Sequence, residues 1–100
     1  MAVVVVSRWK SGSDLKDIVR VCKQAKAHWL RHGAEEFQLA RFHTGLWAGE
    51  YLTSITFPNA ATYGKALDDM PKDAEFMAVM AEAQKVAQLM SRNTLTSIDV

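Results

Sequence analysis

The amino-acid sequence predicts a single α+β domain whose elements follow the order strand, helix, strand, strand, helix, strand. Its 100 residues leave room for one hydrophobic core of ordinary size, so we expect residues 1–100 to form one domain. Along the chain, apolar residues spaced by three and four, which are typical of helices, alternate with runs rich in β-branched and aromatic residues, which are typical of strands.

The first strand and the first helix are predicted from adjacent segments. Four consecutive valines favour a strand over Ala2–Lys10, and a continuous apolar run indicates a strand covered on both faces. Turn residues follow at Ser11–Ser13, and a helix is predicted from Leu15 to Gly33, a residue that tolerates the left-handed backbone of a helix end. The apolar residues on one side of this helix are Ile18, Val19, Cys22, Ala25, Trp29 and Leu30.

A β-hairpin is predicted in the middle of the chain. Its strands are Glu36–Thr44 and Glu50–Phe57, and the segment Gly45–Gly49 between them has a glycine at each end to permit the reversal.

Two helices and a last strand are predicted after the hairpin. Asn59 can cap a short helix to about Asp69, and Pro71 interrupts the helical pattern, so a longer helix is predicted from about Lys72. The last strand is predicted over Thr94–Val100. The apolar stripe of the longer helix is Phe76, Val79, Met80, Ala83, Val86, Ala87 and Met90.

This order of elements is the split β-α-β pattern of ferredoxin-like domains, in which the helices lie on one face of a four-stranded antiparallel sheet. The hairpin strands carry large apolar residues such as Phe42 and Phe57 on both of their faces, and helices can shield only one face. Burial of apolar surface is worth about 25 cal/mol per Å². We therefore expect a homodimer in which two sheets pack face to face.

Charge and hydropathy exclude two classes of partner. Lys and Arg total 12 against 11 for Asp and Glu, a formal net charge of +1, and no segment concentrates either sign. We expect no nucleic-acid partner. The apolar run Val3–Val6 is too short for a signal-peptide core or a membrane span. We expect a cytoplasmic protein with no membrane partner.

The order of elements, the turn Gly45–Gly49 before Glu50–Phe57, and the segment Pro58–Leu67 resemble the dimeric α/β-barrel superfamily. That group includes antibiotic-biosynthesis monooxygenase-like, stress-responsive barrel and NIPSNAP-like domains. The resemblance covers nearly the whole chain and implies a dimeric ferredoxin-like domain. It implies no single reaction, because members include cofactor-free oxygenases, haem-degrading enzymes, isomerases and domains without known activity. No residue set here matches a haem-degrading or oxygenase signature.

In such folds the natural pocket lies between the sheet and its helices. Lys26 falls within the apolar stripe of the first helix, either as a pocket cation for an anionic group or as a lysine whose stem covers apolar surface. Arg41 and His43 share a strand face with Phe37 and Leu39. They are the catalytic candidates, and the alternative places them at a dimer interface or an exposed strand end.

Aromatic residues are the other candidates for contact with a flat ligand. Trp9, Tyr51 and Tyr63 are predicted to line the pocket, and the alternative is ordinary core or interface packing. Trp29 is expected in the core, and Trp47 is a further aromatic residue that packing can explain.

Cys22 is predicted to be a small buried hydrophobe and not a reactive thiol. His28 and His32 stand four residues apart, a spacing that can hold a metal, but their helical phase indicates a surface pair. We predict no metal and no cofactor.

These observations leave two functional hypotheses. The first is a non-catalytic homodimeric domain that binds a small apolar or aromatic molecule or assembles with other proteins. The alternative is a cofactor-independent monooxygenase or isomerase that acts on a small aromatic or apolar substrate in the cavity between sheet and helices.

Overall fold

Four strands and three α-helices make up the computed structural model, which describes residues 1–100. A short 3₁₀ turn, Met70–Lys72, separates the second and third helices. In chain order the elements are β1 (Val3–Lys10), α1 (Leu15–Arg31), β2 (Glu36–Arg41), β3 (Tyr51–Phe57), α2 (Ala60–Asp69), α3 (Ala74–Val86) and β4 (Gln88–Thr96).

The four strands form one antiparallel sheet in the order β2-β3-β1-β4. Strands β1 and β3 are therefore central, as expected from their apolar density. Alternate residues of both strands are buried beneath the helices, and the residues between them are only half-buried. This architecture confirms the predicted α+β ferredoxin-like fold.

The core lies at the end of the sheet where Val3 pairs with Phe57. Trp29 of α1 is buried there, as predicted, and its ring centroid lies 6.1 Å from that of Phe57 and 5.6 Å from that of Phe76. Both contacts are edge-on, an arrangement that aromatic rings favour. Phe76 thereby fixes α3 against α1.

Local sequence determines the helix ends. The side chain of Asn59 accepts a hydrogen bond from the Thr62 amide at 2.8 Å, and Asp73 caps α3 by accepting from the Phe76 amide at 3.1 Å. Gly33 follows α1 with a φ of 102°, as predicted for a residue beyond a helix end.

The predicted position of the last strand was wrong by several residues. Strand β4 spans Gln88–Thr96, not Thr94–Val100, and α3 ends at Val86, so Met90 belongs to a strand and not to a helical stripe. The reason is long-range pairing: β4 pairs with β1 along the whole of that strand, which outweighs the helical spacing of the apolar residues. Ala87 is already extended, with φ −146° and ψ 152°.

The hairpin also differs in detail from the prediction. Strand β2 ends at Arg41 and not at Thr44. Beyond it, the Phe42 amide donates to the Glu50 carbonyl at 2.9 Å, and the Gly49 amide donates to the Phe42 carbonyl at 2.8 Å. These bonds close the loop and leave His43 outside the ladder.

None of the three α-helices combines the length and the apolar composition that a membrane span requires.

Candidate functional site

A cavity lies between the sheet and helices α1 and α3, at the end of the sheet where Trp9 pairs with Tyr51. Its interior offers about 60 Å³ to the centres of water-sized molecules, and it opens to solvent on one side. Its 14 hydrophobic lining residues are Trp9, Ile18, Val21, Cys22, Ala25, Trp29, Phe37, Leu39, Tyr51, Ile55, Met80, Ala83, Val86 and Ala87.

Small residues on the helical side keep this space open. Ala25 of α1 and Ala83 of α3 each present only a methyl group to the cavity, and Ala87 does the same just after α3. Toward the other end of the sheet, the gap between the helices is filled by the large rings of Phe76 and of Trp29, which also borders the cavity. The difference in side-chain volume explains why the domain is solid at one end and hollow at the other.

Three polar residues complete the lining: Ser11, Thr53 and Arg92. The Trp9 indole Nε1 donates to Thr53 Oγ1 at 2.9 Å, and Ser11 Oγ donates to the Val86 carbonyl at 2.6 Å. These bonds satisfy the indole N–H and the Ser11 hydroxyl proton within the chain, so the walls behave as apolar surface.

Arg92 is the only charged residue on the lining. Its Nε donates to Ser7 Oγ at 2.8 Å, and its guanidinium carbon lies 5.9 Å from the ring centroid of Trp9. Burial lowers the pKa of the Arg92 guanidinium, and the nearby Tyr63 hydroxyl has the opposite, smaller effect.

Cys22 lines the cavity as a half-buried side chain. Burial raises the pKa of its thiol above the ordinary value. The thiolate is the nucleophilic form of cysteine, so Cys22 contributes apolar surface to the cavity and no nucleophile.

The structure brings Trp9 and Tyr51, two of the predicted ligand-binding residues, onto the lining. Lys26 is exposed and does not line the cavity. Lys26 was predicted to lie in the apolar stripe because its direction on the helix is close to that of Leu15. Leu15, however, is itself 53% exposed. The buried side of α1 is centred instead on Ile18, Val21, Ala25 and Trp29, roughly a quarter turn away from Lys26 at 100° per residue.

The other predicted site residues lie beside the cavity and not on its lining. Arg41 is exposed, with its guanidinium carbon 5.2 Å from the Tyr51 ring centroid, and His43 is exposed in the hairpin loop. Tyr63 belongs to the core packing, because its ring centroid lies 5.3 Å from that of Phe57. Its hydroxyl lies 3.3 Å from Thr94 Oγ1.

Sequence reasoning missed Arg92 and its partner Ser7. With the last strand placed at Thr94–Val100, Arg92 fell between two elements and had no assigned direction. Pairing of β4 with β1 sets Arg92 opposite Ser7 on the helix-facing side of the sheet. The local sequence carries no signal for it, because Arg92 lies within four consecutive polar residues, Ser91–Thr94.

No group of three His, Cys, Asp or Glu side chains has the arrangement of a metal site. His28 Nδ1 lies 2.7 Å from an Arg31 nitrogen, and His32 Nε2 lies 2.7 Å from Asp73 Oδ2. Hydrogen bonds from His32 and Arg31 hold the pKa of Asp73 far below its usual range. These residues join the end of α1 to the start of α3.

The sequence matches no protein-family model and no curated protein. The structure is similar to SnoaB, a cofactor-independent oxygenase from Streptomyces nogalater, with a TM-score of 0.78 and 14% identity over 99% of this chain and 95% of that chain. It is also similar to a putative antibiotic biosynthesis monooxygenase from Bordetella bronchiseptica, with a TM-score of 0.73 and 11% identity over 97% of each chain.

A NIPSNAP family protein from Agrobacterium tumefaciens has a TM-score of 0.68 and 9% identity over 99% of this chain and 95% of that chain. At such identities, likeness establishes the fold and not the activity. The chain therefore shares its α+β ferredoxin-like fold with these proteins, in agreement with the fold that the sequence resemblance implied.

Proposed function

We propose that this protein binds one small apolar or aromatic molecule in the cavity between its sheet and helices, without catalysing a reaction. The observation that carries the proposal is the cavity lining, in which 14 of 17 residues are hydrophobic. Ligand pockets are lined in this way, with few polar groups to orient the ligand. The cavity offers about 60 Å³ to water centres. One water needs roughly 10–15 Å³ on this measure, so the space is larger than a single water requires.

The aromatic residues of the lining favour a flat ligand. Trp9, Trp29 and Tyr51 come from three different elements and all border the cavity. Aromatic rings bind flat apolar molecules through offset stacking and edge-to-face contacts, which add to the free energy of burial.

The lining favours binding over catalysis because it supplies no histidine, carboxylate or lysine to act as a general acid or base. The catalytic candidate His43 and the cation Lys26 do not border the cavity. Cys22, which does, stays protonated because burial raises the pKa of its thiol. A ligand in the cavity thus meets no imidazole, carboxylate or ammonium group, and its ionisable neighbours are Cys22, Tyr51 and Arg92.

A second candidate function is cofactor-independent oxygenation or isomerisation in the same cavity. The specific observation in its favour is the fold shared with SnoaB over nearly the whole length of both chains. Oxygen uptake and product analysis with a panel of phenols and hydroquinones test this candidate. Turnover by the purified protein that is lost in Ala83→Phe would establish it in place of simple binding.

We also propose that two copies associate through the face of the sheet that the helices leave uncovered. Val4, Val6 and Leu52 of the central strands lie on this face and are only half-buried in a single chain. Arg8 on the same face forms an ion pair with Glu50 at 2.5 Å. Its charge is thus compensated before the face is buried.

The binding proposal is tested with N-phenyl-1-naphthylamine, an uncharged dye that fluoresces when it leaves water. We expect saturable binding of one dye per chain. Ala83→Phe fills the cavity and should weaken binding at least tenfold, whereas Ala81→Phe, an exposed position on the same helix, should bind like the wild type.

Circular dichroism and thermal unfolding establish that both variants fold, and Ala83→Met provides a smaller filling side chain if phenylalanine is not tolerated. Fluorescence that does not saturate, or that is equal in a folded Ala83 variant and the wild type, would overturn the binding proposal.

A further inference from the structure

The polar environment of Arg92 differs from that of the other cavity residues. Arg92 lies on β4, an edge strand, and in the sheet register it stands opposite Ser7 of central strand β1. Ser7 is fully buried, and its hydroxyl accepts the hydrogen bond from Arg92 Nε. A fixed, buried acceptor therefore orients the guanidinium plane at the border of the cavity.

The rest of the guanidinium has no partner in the chain. Its terminal nitrogens, Nη1 and Nη2, make no hydrogen bond, and Arg92 takes part in no ion pair. By contrast, the arginines at positions 8, 20 and 31 each lie beside a carboxylate. A guanidinium carries five N–H donors in a planar fork, so four of those of Arg92 remain free.

Arg92 as a whole is exposed, and only one side of its side chain borders the cavity. On that side, partial burial disfavours the charge and lowers the pKa of the guanidinium. The adjoining surface is the apolar lining with the Trp9 ring, and charge-assisted hydrogen bonds are strongest where water is scarce. Two free N–H donors at the edge of a planar fork match the two oxygens of a carboxylate.

We propose that the ligand of this cavity is an anion, with a flat apolar body between the sheet and the helices and one oxyanion group, such as a carboxylate or phenolate, held by Arg92 Nη1 and Nη2. This inference rests on the proposed function, because it specifies the chemical class of the molecule that the cavity binds.

The test compares two dyes that share one scaffold. N-phenyl-1-naphthylamine is uncharged, and 8-anilino-1-naphthalenesulfonate adds a single sulfonate. Both are titrated into the wild type, Arg92→Met, Arg92→Lys and Arg20→Met. Arg20 is an exposed arginine of α1, so its replacement reproduces the change in net charge away from the cavity.

We expect Arg92→Met to lower the affinity for the sulfonate dye about tenfold or more and the affinity for the uncharged dye less than threefold. Arg92→Lys should recover part of the affinity for the sulfonate dye, and Arg20→Met should leave both affinities unchanged. Such a selective loss cannot come from a general loosening of the cavity, because loosening would act on both dyes.

Two results would overturn the inference, and they are distinguishable. If Arg92→Met changes the affinities for both dyes equally, or changes neither affinity, the cavity binds apolar molecules but Arg92 holds no anion. The proposed function then survives. If the wild type binds neither dye at a saturable site, the proposed function itself fails.

Discussion

Gly33 is the residue at which the chain turns away from α1, and the turn depends on its missing side chain. Its φ of 102° is a conformation that other residues rarely adopt, and a Cβ placed there would lie 2.6 Å from Thr62 Cγ2. The sequence could predict the helix end, because a glycine after an apolar stripe is a strong local signal. It could not predict the approach of α2.

Gly33→Ala should lower the free energy of unfolding by about 1–3 kcal/mol because of backbone strain, and by more if the Thr62 methyl group cannot move. Gly64→Ala is the matched control: Gly64 lies within α2 with open space at its Cβ position. The control should raise the same free energy by about 0.5–1 kcal/mol. Urea unfolding measures both, and a Gly33→Ala variant as stable as the wild type would contradict the strain argument.

Asp73 makes a stability contribution that depends on pH. Its folded pKa is held below the ordinary value by His32 and Arg31. The contribution is complete above the unfolded pKa of about 3.9 and is lost as the pH falls toward the folded pKa. Asp73→Asn keeps an acceptor for the helix cap but removes the charge.

We expect Asp73→Asn to be less stable than the wild type at pH 7, with a gap that narrows as the pH falls below about 4. Urea unfolding across this range measures the gap, and Asp99→Asn, at an exposed position without an ion pair, is the control. A gap of equal size at pH 3 and pH 7 would show that the charge of Asp73 is not its cause.

At the scale of elements, α3 forms the helical wall of the cavity through Met80, Ala83 and Val86, and Phe76 anchors it. The Phe76 ring makes an edge contact with Trp29 at a centroid distance of 5.6 Å. Phe76 is the buried residue of this helix, and the half-buried Val79 and Met80 add further contacts with the core.

Phe76→Ala should lower the free energy of unfolding by about 3–5 kcal/mol, the usual cost of removing a buried aromatic ring. Met77→Ala, at a neighbouring position that is 48% exposed, should change it by about 0.5 kcal/mol or less. Denaturant unfolding of the two variants checks the difference. Equal costs would mean that the cluster does not anchor α3.

Local sequence predicts most of these elements and fails where pairing between distant segments decides. The strands of the hairpin and helix α1 follow from periodicity and turn residues. The segment Ala87–Arg92 does not, because its apolar spacing continues that of α3 while its backbone pairs with β1. That error concealed Arg92, since a residue has no assigned face until its strand is in register.

At the scale of the whole molecule, the proposed dimer accounts for the apolar residues on the uncovered face of the sheet. Val6 lies at the middle of β1 on this face, between Ser54 and Asn93. A charge at Val6 would be buried without a partner in a sheet-to-sheet interface, at a cost large enough to prevent association.

Light scattering should give the wild type a mass twice that of the 11.2 kDa chain and give Val6→Glu the mass of a single chain, with circular dichroism unchanged. Leu67→Glu, at a position on α2 that is 52% exposed, should remain dimeric. A wild-type mass of 11.2 kDa at micromolar concentration would contradict the proposed assembly.

The hollow between the helices and the sheet is the feature on which this account of function depends. A crystal structure of the protein with N-phenyl-1-naphthylamine tests it most directly. We expect the dye's rings to lie against Trp9 and Tyr51, between the sheet and the methyl groups of Ala25 and Ala83. Dye bound only on the uncovered face of the sheet, with side chains closing the cavity, would contradict it.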